Sequence, residues 1–410
     1  MKVGIIGSGG REHAICHSIR KSNTVDEIYC FPGNAGTSEI AKNVTLDLEN
    51  FDELKEFIKI KKIDLIIVGP EKPLVNGIVD FLEKNDVKVF GPDKIASQLE
   101  GSKIFTKKLC EKYNIPTAKF GIFQNEEDSN KFIKKSDYPL VIKADGLASG
   151  KGVFICNNIL EAQLAINEIF GGKFGEAKNL LIEEFLQGEE MSYFIISDGK
   201  TIKTFETAQD HKRVLEGDMG KNTGGMGAYS PSRLINNELE KKIMQKIIEP
   251  TLKGIKEIGS SYKGFLYAGL MIVKNEPYLI EYNVRMGDPE CQTILPKLKT
   301  NLLDIFIACC DQKLDKIEIK WHNKKSLCIV VCSNGYPDKF NKNVLIKNLS
   351  KIVLKDSEYC YHAGTINIEK KTYAIGGRVL NIVCLSNNFL EARMRALNLI
   401  KALNWNDGFF

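Results

Sequence analysis

Residues 141–153 read Val-Ile-Lys-Ala-Asp-Gly-Leu-Ala-Ser-Gly-Lys-Gly-Val. An apolar run carries Lys143 into a loop that holds Gly146, Gly150, Lys151 and Gly152, and the chain leaves through a second apolar run, Val153-Phe154-Ile155-Cys156. Glycines let backbone amides approach an anion closely, and two ammonium groups supply countercharge, so the pattern points to a phosphate cradle. A Walker A loop fails at two places: its first glycine would fall on Asp145, and Gly152 stands where Ser or Thr should follow the lysine. That loop also opens a helix, whereas this one joins two strands. An ordinary hairpin with a Gly-rich turn stays open on these residues alone.

Outward from the loop, residues 1–101 alternate strands and helices. Strands are expected at 2–6, 27–30, 64–68 and 88–90, and helices at 12–20, 51–61 and 74–84. Each strand ends in a turn signal: Gly7-Ser8-Gly9-Gly10, Pro32-Gly33-Asn34-Ala35-Gly36, Gly69-Pro70 and Gly91-Pro92. This is a parallel α/β sheet whose ligands belong at the carboxyl ends of its strands. The dinucleotide fingerprint breaks at Glu12, where its third glycine should stand, and no acid closes Tyr29-Cys30-Phe31-Pro32. Gly9-Gly10-Arg11 at a helix N-terminus suits a monophosphate instead. Further on, a helix over 102–113 is capped by Ser102 and ended by Pro116. Helix 160–170 follows the glycine loop, a strand runs over 180–186, and a hairpin over 191–207 turns at Asp198-Gly199. Residues 264–273 and 278–283 form a strand pair, and beyond about 325 short strands make a small C-terminal domain.

The 410 residues are 43% hydrophobic and 27% charged, the composition of a soluble globular protein of several domains. A strand begins at once after Met1, so no signal peptide is expected, and no apolar run approaches the ~20 residues of a membrane span. Eleven scattered cysteines, several inside apolar runs, read as reduced thiols and place the protein in the cytoplasm. The net charge of +5 is dispersed in short lysine pairs, so neither nucleic acid nor membrane is an expected partner. Only 8 of the 57 basic residues are Arg, and Arg11, Arg213 and Arg285 all lie in polar Gly-rich segments, which suggests a need for the bidentate fork.

Four more segments bear on the loop. Ile182-Glu183-Glu184-Phe185-Leu186, with Glu190 beyond, is an apolar strand ending in acids that can hold an adenine amino group and ribose hydroxyls, the main chain of 184–186 contacting the base. An edge strand with solvated glutamates is the alternative. Gln209-Asp210-His211-Lys212-Arg213 and Lys221-Asn222-Thr223-Gly224-Gly225-Met226-Gly227-Ala228 are too polar and glycine-rich for core, so an ordered substrate loop is expected over 209–228. Glu281 and Asn283, two apart on a strand, point to one face and offer oxygen ligands of the kind Mg²⁺ prefers. Arg285 opens Arg-Met-Gly-Asp-Pro-Glu and can fork onto a carboxylate.

Taken in order, the Gly-Gly-Arg helix start, Gly101-Ser102-Lys103, the Lys-led glycine loop, Ile-Glu-Glu-Phe-Leu, Gln-Asp-His-Lys, Asn-Thr-Gly-Gly-Met-Gly-Ala and Glu-Tyr-Asn-x-Arg-x-Gly-Asp-Pro-Glu span residues 7–290. The set closely resembles the glycinamide ribonucleotide synthetase (phosphoribosylamine–glycine ligase) family, in which strand, glycine loop and strand are the nucleotide lid of an ATP-grasp enzyme. His362-Ala363-Gly364-Thr365 and Gly376-Gly377-Arg378-Val379-Leu380 look like that family's C-terminal domain. Tyr282 and Met286 stand where the family commonly has Phe, and the chain stops at Asp407-Gly408-Phe409-Phe410 where relatives often continue with a basic segment.

The resemblance implies an α/β and α+β multidomain protein. Its parts would be an N-terminal parallel α/β (pre-ATP-grasp) domain at 1–101 and a two-lobed ATP-grasp fold, with main lobe 102–120 and 191–325 and lid lobe 121–190. A β-rich domain at 326–410 completes it. It implies a monomeric ligase of de novo purine biosynthesis that joins glycine to 5-phosphoribosylamine with ATP and Mg²⁺ or Mn²⁺, through glycyl phosphate. Arg285, Asp210 and Lys143 would be the catalytic set. ATP would be held by Lys103, Lys143, Gly146, Ser149, Gly150, Lys151, Gly152, Glu183, Glu184, Phe185, Leu186, Glu190 and Lys212. Substrates would meet Gly9, Gly10, Arg11, Glu12, Asp210, Asn222, Gly225, Arg285 and Asp288, and the metal Glu281 and Asn283. Two rivals remain: an ATP-grasp carboxylase using bicarbonate, and a non-catalytic nucleotide-binding regulator.

Overall fold

A computed structural model describes residues 1–147, 152–175 and 178–410. The N-terminal sheet is parallel throughout, in the order Lys42–Asn43, Glu27–Pro32, Lys2–Gly7, Leu65–Val68, Val89–Phe90. Its inner strands are buried on both faces, which is why Val3-Gly4-Ile5-Ile6 and Leu65-Ile66-Ile67-Val68 read as apolar runs without alternation. Strand order reverses between Lys2–Gly7 and Leu65–Val68, the place where such sheets open a crevice. Gly7, at φ +122°, and Gly69 leave those two strands, and a Cβ on either would collide with Glu12.

The helix expected over 74–84 is two helices, Glu71–Val75 and Ile78–Glu83. Gly77 between them is left-handed (φ 90°), a conformation that breaks the α-helical run and that glycine adopts without strain.

A second, four-stranded antiparallel sheet has the order Phe120–Phe123, Leu180–Glu184, Leu140–Ala144, Val153–Cys156. Helices Glu126–Ile133 and Ile159–Phe170 pack on it through Ile133, Ala162, Ile166 and Ile169 over Ile142 and Ile182. Asn125 and Asn158 cap these helices by accepting the Asp128 and Glu161 amides, each cap contributing about 1 kcal/mol.

The largest sheet runs Glu276–Asn283, Lys263–Val273, Glu189–Asp198, Ile202–Leu215, Met219–Ser230, Lys325–Ser333, Arg378–Ser386, Glu358–His362, and the short strand Gly408–Phe409 pairs with Lys325–Ser333. The expectation of a substrate loop over 209–228 is corrected here. That segment is the arms of a long hairpin, Ile202–Leu215 and Met219–Ser230, turning at 216–218. Its polar, glycine-rich residues are strand residues because Gly227–Ser230 pairs on its other side with Ser326–Ile329, a partner a hundred residues away. The C-terminal strands therefore continue this sheet. All eleven cysteines are free thiols, and no helix among the described residues is long and apolar enough to cross a membrane.

Candidate active site

The start of the opening loop is held by the four-stranded sheet and by the helix Lys103–Lys112. In strand Leu140–Ala144 the side chain of Lys143 is buried, and its Nζ lies 2.8 Å from Glu183 Oε2. The other oxygen of Glu183 faces Lys107 Nζ at 3.0 Å, and Lys107 also donates to Thr117 Oγ1 at 2.5 Å. Burial alone would raise the Glu183 pKa; the two ammonium groups reverse that and hold it below the ordinary carboxylate range. Glu183 thus orients two lysines rather than offering a free carboxylate to a ribose, a difference from the sequence-based expectation that follows from its place on the sheet's inner face.

Helix Lys103–Lys112 fixes the start of the glycine loop. Ser102 Oγ, which caps the helix, lies 3.1 Å from Asp145 Oδ1, and Lys103 Nζ donates to the Gly146 carbonyl at 2.8 Å. Burial lowers the Lys103 pKa, while Glu281, Asp145 and Glu183 pull it back up. Gly146 has φ +91° with open space around its Cβ direction. The neck of the loop closes where Ala144 N–H donates to the Gly152 carbonyl at 2.8 Å. Ser149, Gly150 and Lys151 lie outside the described residues.

Past Glu183 the strand edge opens. Glu184 accepts the Lys119 amide at 2.8 Å, Phe185 is exposed and Leu186 half-exposed. Glu190 pairs with Lys212 at 2.9 Å, an attraction that lowers the Glu190 pKa. Asp210 is on the same hairpin arm as Lys212. Burial pushes its pKa up to about 7; Lys212 opposes the rise, and Glu290 and Glu190 add to it. The strand Glu276–Asn283 alternates as expected: Tyr282 is buried with its hydroxyl 2.5 Å from Thr251 Oγ1, and Glu281 and Asn283 share the other face, half-exposed. Against burial, the Glu281 carboxylate raises the pKa of Lys103, from the helix Lys103–Lys112, and of Lys212, from another strand of its own sheet.

Arg285 is held from the N-terminal unit. Its Nη2 donates to Glu100 Oε1 at 2.5 Å and its Nε lies 3.3 Å from Glu71 Oε2. Glu100 also accepts the Val284 amide at 2.8 Å, and burial pushes its pKa up to about 7 against the pull of Arg285. Arg11 and Arg285 line one small cavity with Gly69 and Gly91.

The expected phosphate cradle at Gly9–Arg11 is occupied by the protein's own acids. Gly9 N–H donates to Glu12 Oε2 at 2.6 Å and Arg11 N–H to Asp288 Oδ2 at 3.3 Å. The Arg11 guanidinium pairs with Glu12 at 2.6 Å and donates to the Met286 carbonyl at 3.0 Å. Gly10 is crowded by Gln292 and Asn381. Asp288 also accepts from Gln292 Nε2 at 2.7 Å and pairs with Arg378 at 3.2 Å, so one carboxylate ties together three separate parts of the chain. Asn222 and Gly225 lie on the returning arm of the hairpin, Gly225 at φ +113° against Pro289.

Several residues of this site carried no assignment in the sequence. Lys107 had a signal, its i+4 spacing from Lys103 on one helix face. Asn34 read only as turn punctuation, yet its buried amide donates to the Ser8 and His362 carbonyls at 2.9 Å each and accepts from Gly36 and Thr37. Glu100 and Arg378 act through contacts distant in sequence, with Arg285 and with Gly224 and Asp288, and had no local signal of that task.

Comparison with known proteins gives a consistent picture. Profiles described as Phosphoribosylglycinamide synthetase match residues 1–100 (N domain), 101–291 (ATP-grasp (A) domain) and 326–410 (C domain). The phosphoribosylamine–glycine ligase of Brucella melitensis biotype 1 is 44% identical over 411 residues, covering 100% of this chain and 96% of that protein. The ligase of the same name from Caldanaerobacter subterraneus subsp. tengcongensis is 44% identical over 407 residues, 99% of this chain and 97% of that one. Among solved structures, a phosphoribosylamine–glycine ligase from Thermotoga maritima superposes with a TM-score of 0.86 at 33% identity, covering 100% of this chain and 98% of that one. The biotin carboxylase domain of a Hydrogenobacter thermophilus 2-oxoglutarate carboxylase, solved with MgADP and bicarbonate, gives 0.74 at 16% identity over 98% of this chain and 89% of that one, a likeness of fold alone.

Proposed function

The chain belongs to the phosphoribosylglycinamide synthetase family, and from that premise we propose how its residues perform the reaction. The protein is a C–N ligase of purine biosynthesis: with ATP it joins glycine to 5-phosphoribosylamine, giving glycinamide ribonucleotide, ADP and phosphate. A glycine carboxylate oxygen attacks the γ-phosphorus of ATP and ADP leaves, forming glycyl phosphate. The amine of phosphoribosylamine then attacks the glycyl carbonyl carbon, phosphate leaves with the C–O electron pair, and the amine nitrogen gives up a proton. Asp210, with a pKa near neutrality, is the group we assign to accept it.

Lys143 and Lys103 face the phosphates beside Gly146 and Gly152, and Ser149, Gly150 and Lys151, which lie outside the described residues, are assigned to the same phosphates. The main chain of Glu184, Phe185 and Leu186 takes the base, and the Glu190–Lys212 pair the ribose side. Glu281 and Asn283 form an oxygen-only donor pair on one strand face, which suits Mg²⁺ or Mn²⁺. Such an ion, when bound, would offset charge on the transferring phosphoryl group. Arg285, its orientation fixed by Glu100 and Glu71, takes the glycine carboxylate. Phosphoribosylamine meets Gly9, Gly10, Arg11, Glu12, Asn222, Gly225 and Asp288. Its phosphate takes over amides that Glu12 and Asp288 hold in this structure, so its binding is coupled to movement of those carboxylates. Positioning and charge complementarity do most of the work, and closure of the lid over ATP keeps water from glycyl phosphate. All these groups come from one chain, and we read the protein as acting as a monomer.

The observation that supports this reading is the buried Lys143–Glu183–Lys107 group beside the glycine loop, whose Gly146 carbonyl accepts from Lys103, with the Glu281 carboxylate raising the pKa of Lys103 and Lys212 against burial. ADP release with glycine, bicarbonate and phosphoribosylamine added in turn tests it. ADP formation that needs glycine and falls about 100-fold or more in Glu281→Gln is expected, on the scale of losing a preorganised charge-stabilising group. ADP formation supported by bicarbonate without glycine contradicts it.

A further inference from the structure

We propose that Tyr336 and Arg378, both beyond residue 325, are positioning residues for the nucleotide end of the reaction, acting through the hairpin Ile202–Leu215/Met219–Ser230. The point of contact is one residue, Gly224. Gly224 N–H donates to the Tyr336 hydroxyl at 2.9 Å, and the Gly224 carbonyl accepts from Arg378 Nη1 at 2.6 Å. The same nitrogen reaches the Asp288 carbonyl at 2.5 Å. The guanidinium lies flat against Gly224, where a Cβ would stand 3.1 Å from Arg378 Cζ. On the next residue, a Cβ on Gly225 would meet Pro289 Cδ at 2.5 Å. Glycines at 224 and 225 are therefore what let the hairpin dock against these groups.

From there a short chain of bonds leads inward. Gly225 N–H donates to Thr223 Oγ1 at 3.0 Å, Thr223 Oγ1 donates to the Lys212 carbonyl at 2.8 Å, and Lys212 Nζ pairs with Glu190 at 2.9 Å. The hairpin ladder does not fix this region alone. Its register is irregular between His211 and Arg213 and again between Arg213 and Leu215. Where pairing is irregular, anchors from outside the hairpin decide where Lys212 stands. Lys221, pairing with Asp338 at 2.7 Å, adds an exposed contact between the same two segments.

The inference rests on the assignment of the Lys212–Glu190 pair to the nucleotide site, and a double-mutant cycle separates the two. Binding of adenylyl imidodiphosphate is measured by calorimetry for the full chain, Tyr336→Phe, Lys212→Met and the double variant, with melting temperatures taken alongside. Tyr336→Phe removes one hydroxyl from a half-buried ring. It is expected to weaken binding about 3- to 10-fold, the scale of one hydrogen bond, and to have no further effect once Lys212 is Met. Arg378→Met, which removes the donor shared by the Gly224 and Asp288 carbonyls, is expected to do the same. Factors that multiply in the double variant, or unchanged binding in Tyr336→Phe beside weakened binding in Lys212→Met, overturn the positioning role. Unchanged binding in Lys212→Met removes the nucleotide assignment itself, and the inference with it.

Discussion

Glu183 holds two ammonium groups where water barely reaches: all three side chains are 5% exposed or less. Taking away one member of such a group leaves charge buried without compensation, which costs more than the group as a whole contributes. Glu183→Gln is accordingly expected to lower the unfolding free energy by about 3–5 kcal/mol in urea titrations; a change under about 1 kcal/mol would mean that water reaches the cluster. Asp210 makes a different prediction at the same scale. With its pKa near 7, kcat/KM should rise with pH through an inflection near 7 as the carboxylate forms, and Asp210→Asn should lose that inflection along with most of the rate. An inflection that survives the substitution would give the proton to another group. Lys143, Glu281, Asn283 and Arg285 stand out as candidates because each lies in a run whose composition makes no sense as core, whereas Lys103 is a candidate only through the family resemblance. Glu183 stood in such a run as well, but its partner Lys107 is recruited through the fold, so its task as an orienting acid was not legible.

At the scale of elements, the hairpin over 202–230 shows where local reading stops. Alternation and turn residues mark strands when one face is apolar, and the segment Lys221–Ala228 has no such face. Its strand character comes from pairing with Lys325–Ser333, which a local window cannot see. Four of the five parallel strands of the N-terminal sheet, by contrast, were legible to within two residues, since burial writes a continuous apolar run, while the exposed edge strand Lys42–Asn43 carries no such run. The helix expected over 74–84 is broken at Gly77 because apolar spacing continues across that residue while the helical backbone does not. Gly225→Ala tests the hairpin's docking: a left-handed φ and contact with Pro289 both oppose a Cβ. The variant should lose at least about 1 kcal/mol of stability and lose activity beyond that loss. An active, equally stable Gly225→Ala would show that the hairpin docks differently.

Across the whole molecule, the first helix and the C-terminal strands form one interior. His13 Nδ1 accepts the His362 amide at 2.9 Å, and the rings of His13 and His17 pack edge-on against Tyr361 and Tyr359. Burial, reinforced for His13 by the neighbouring histidines and for His17 by Lys21, lowers the pKa of His13 to about 3, of His17 to about 4 and of His362 to about 4, from 6.5. The unfolded chain takes up these protons near 6.5 and the folded one does not. Stability is therefore complete above that pH and is lost as pH falls toward 4. The urea midpoint should drop between pH 7 and 5, and His17→Gln should lessen the drop; equal drops in both proteins would place the lability elsewhere.

In the proposed mechanism a glycine carboxylate oxygen becomes bonded to the γ-phosphorus, and isotope transfer detects that bond. Glycine labelled with ¹⁸O in both carboxylate oxygens is turned over with ATP and freshly prepared phosphoribosylamine, and the released phosphate is examined by mass spectrometry. One ¹⁸O atom per phosphate is predicted, in step with glycinamide ribonucleotide formed. Product formation with unlabelled phosphate would contradict the acyl-phosphate path.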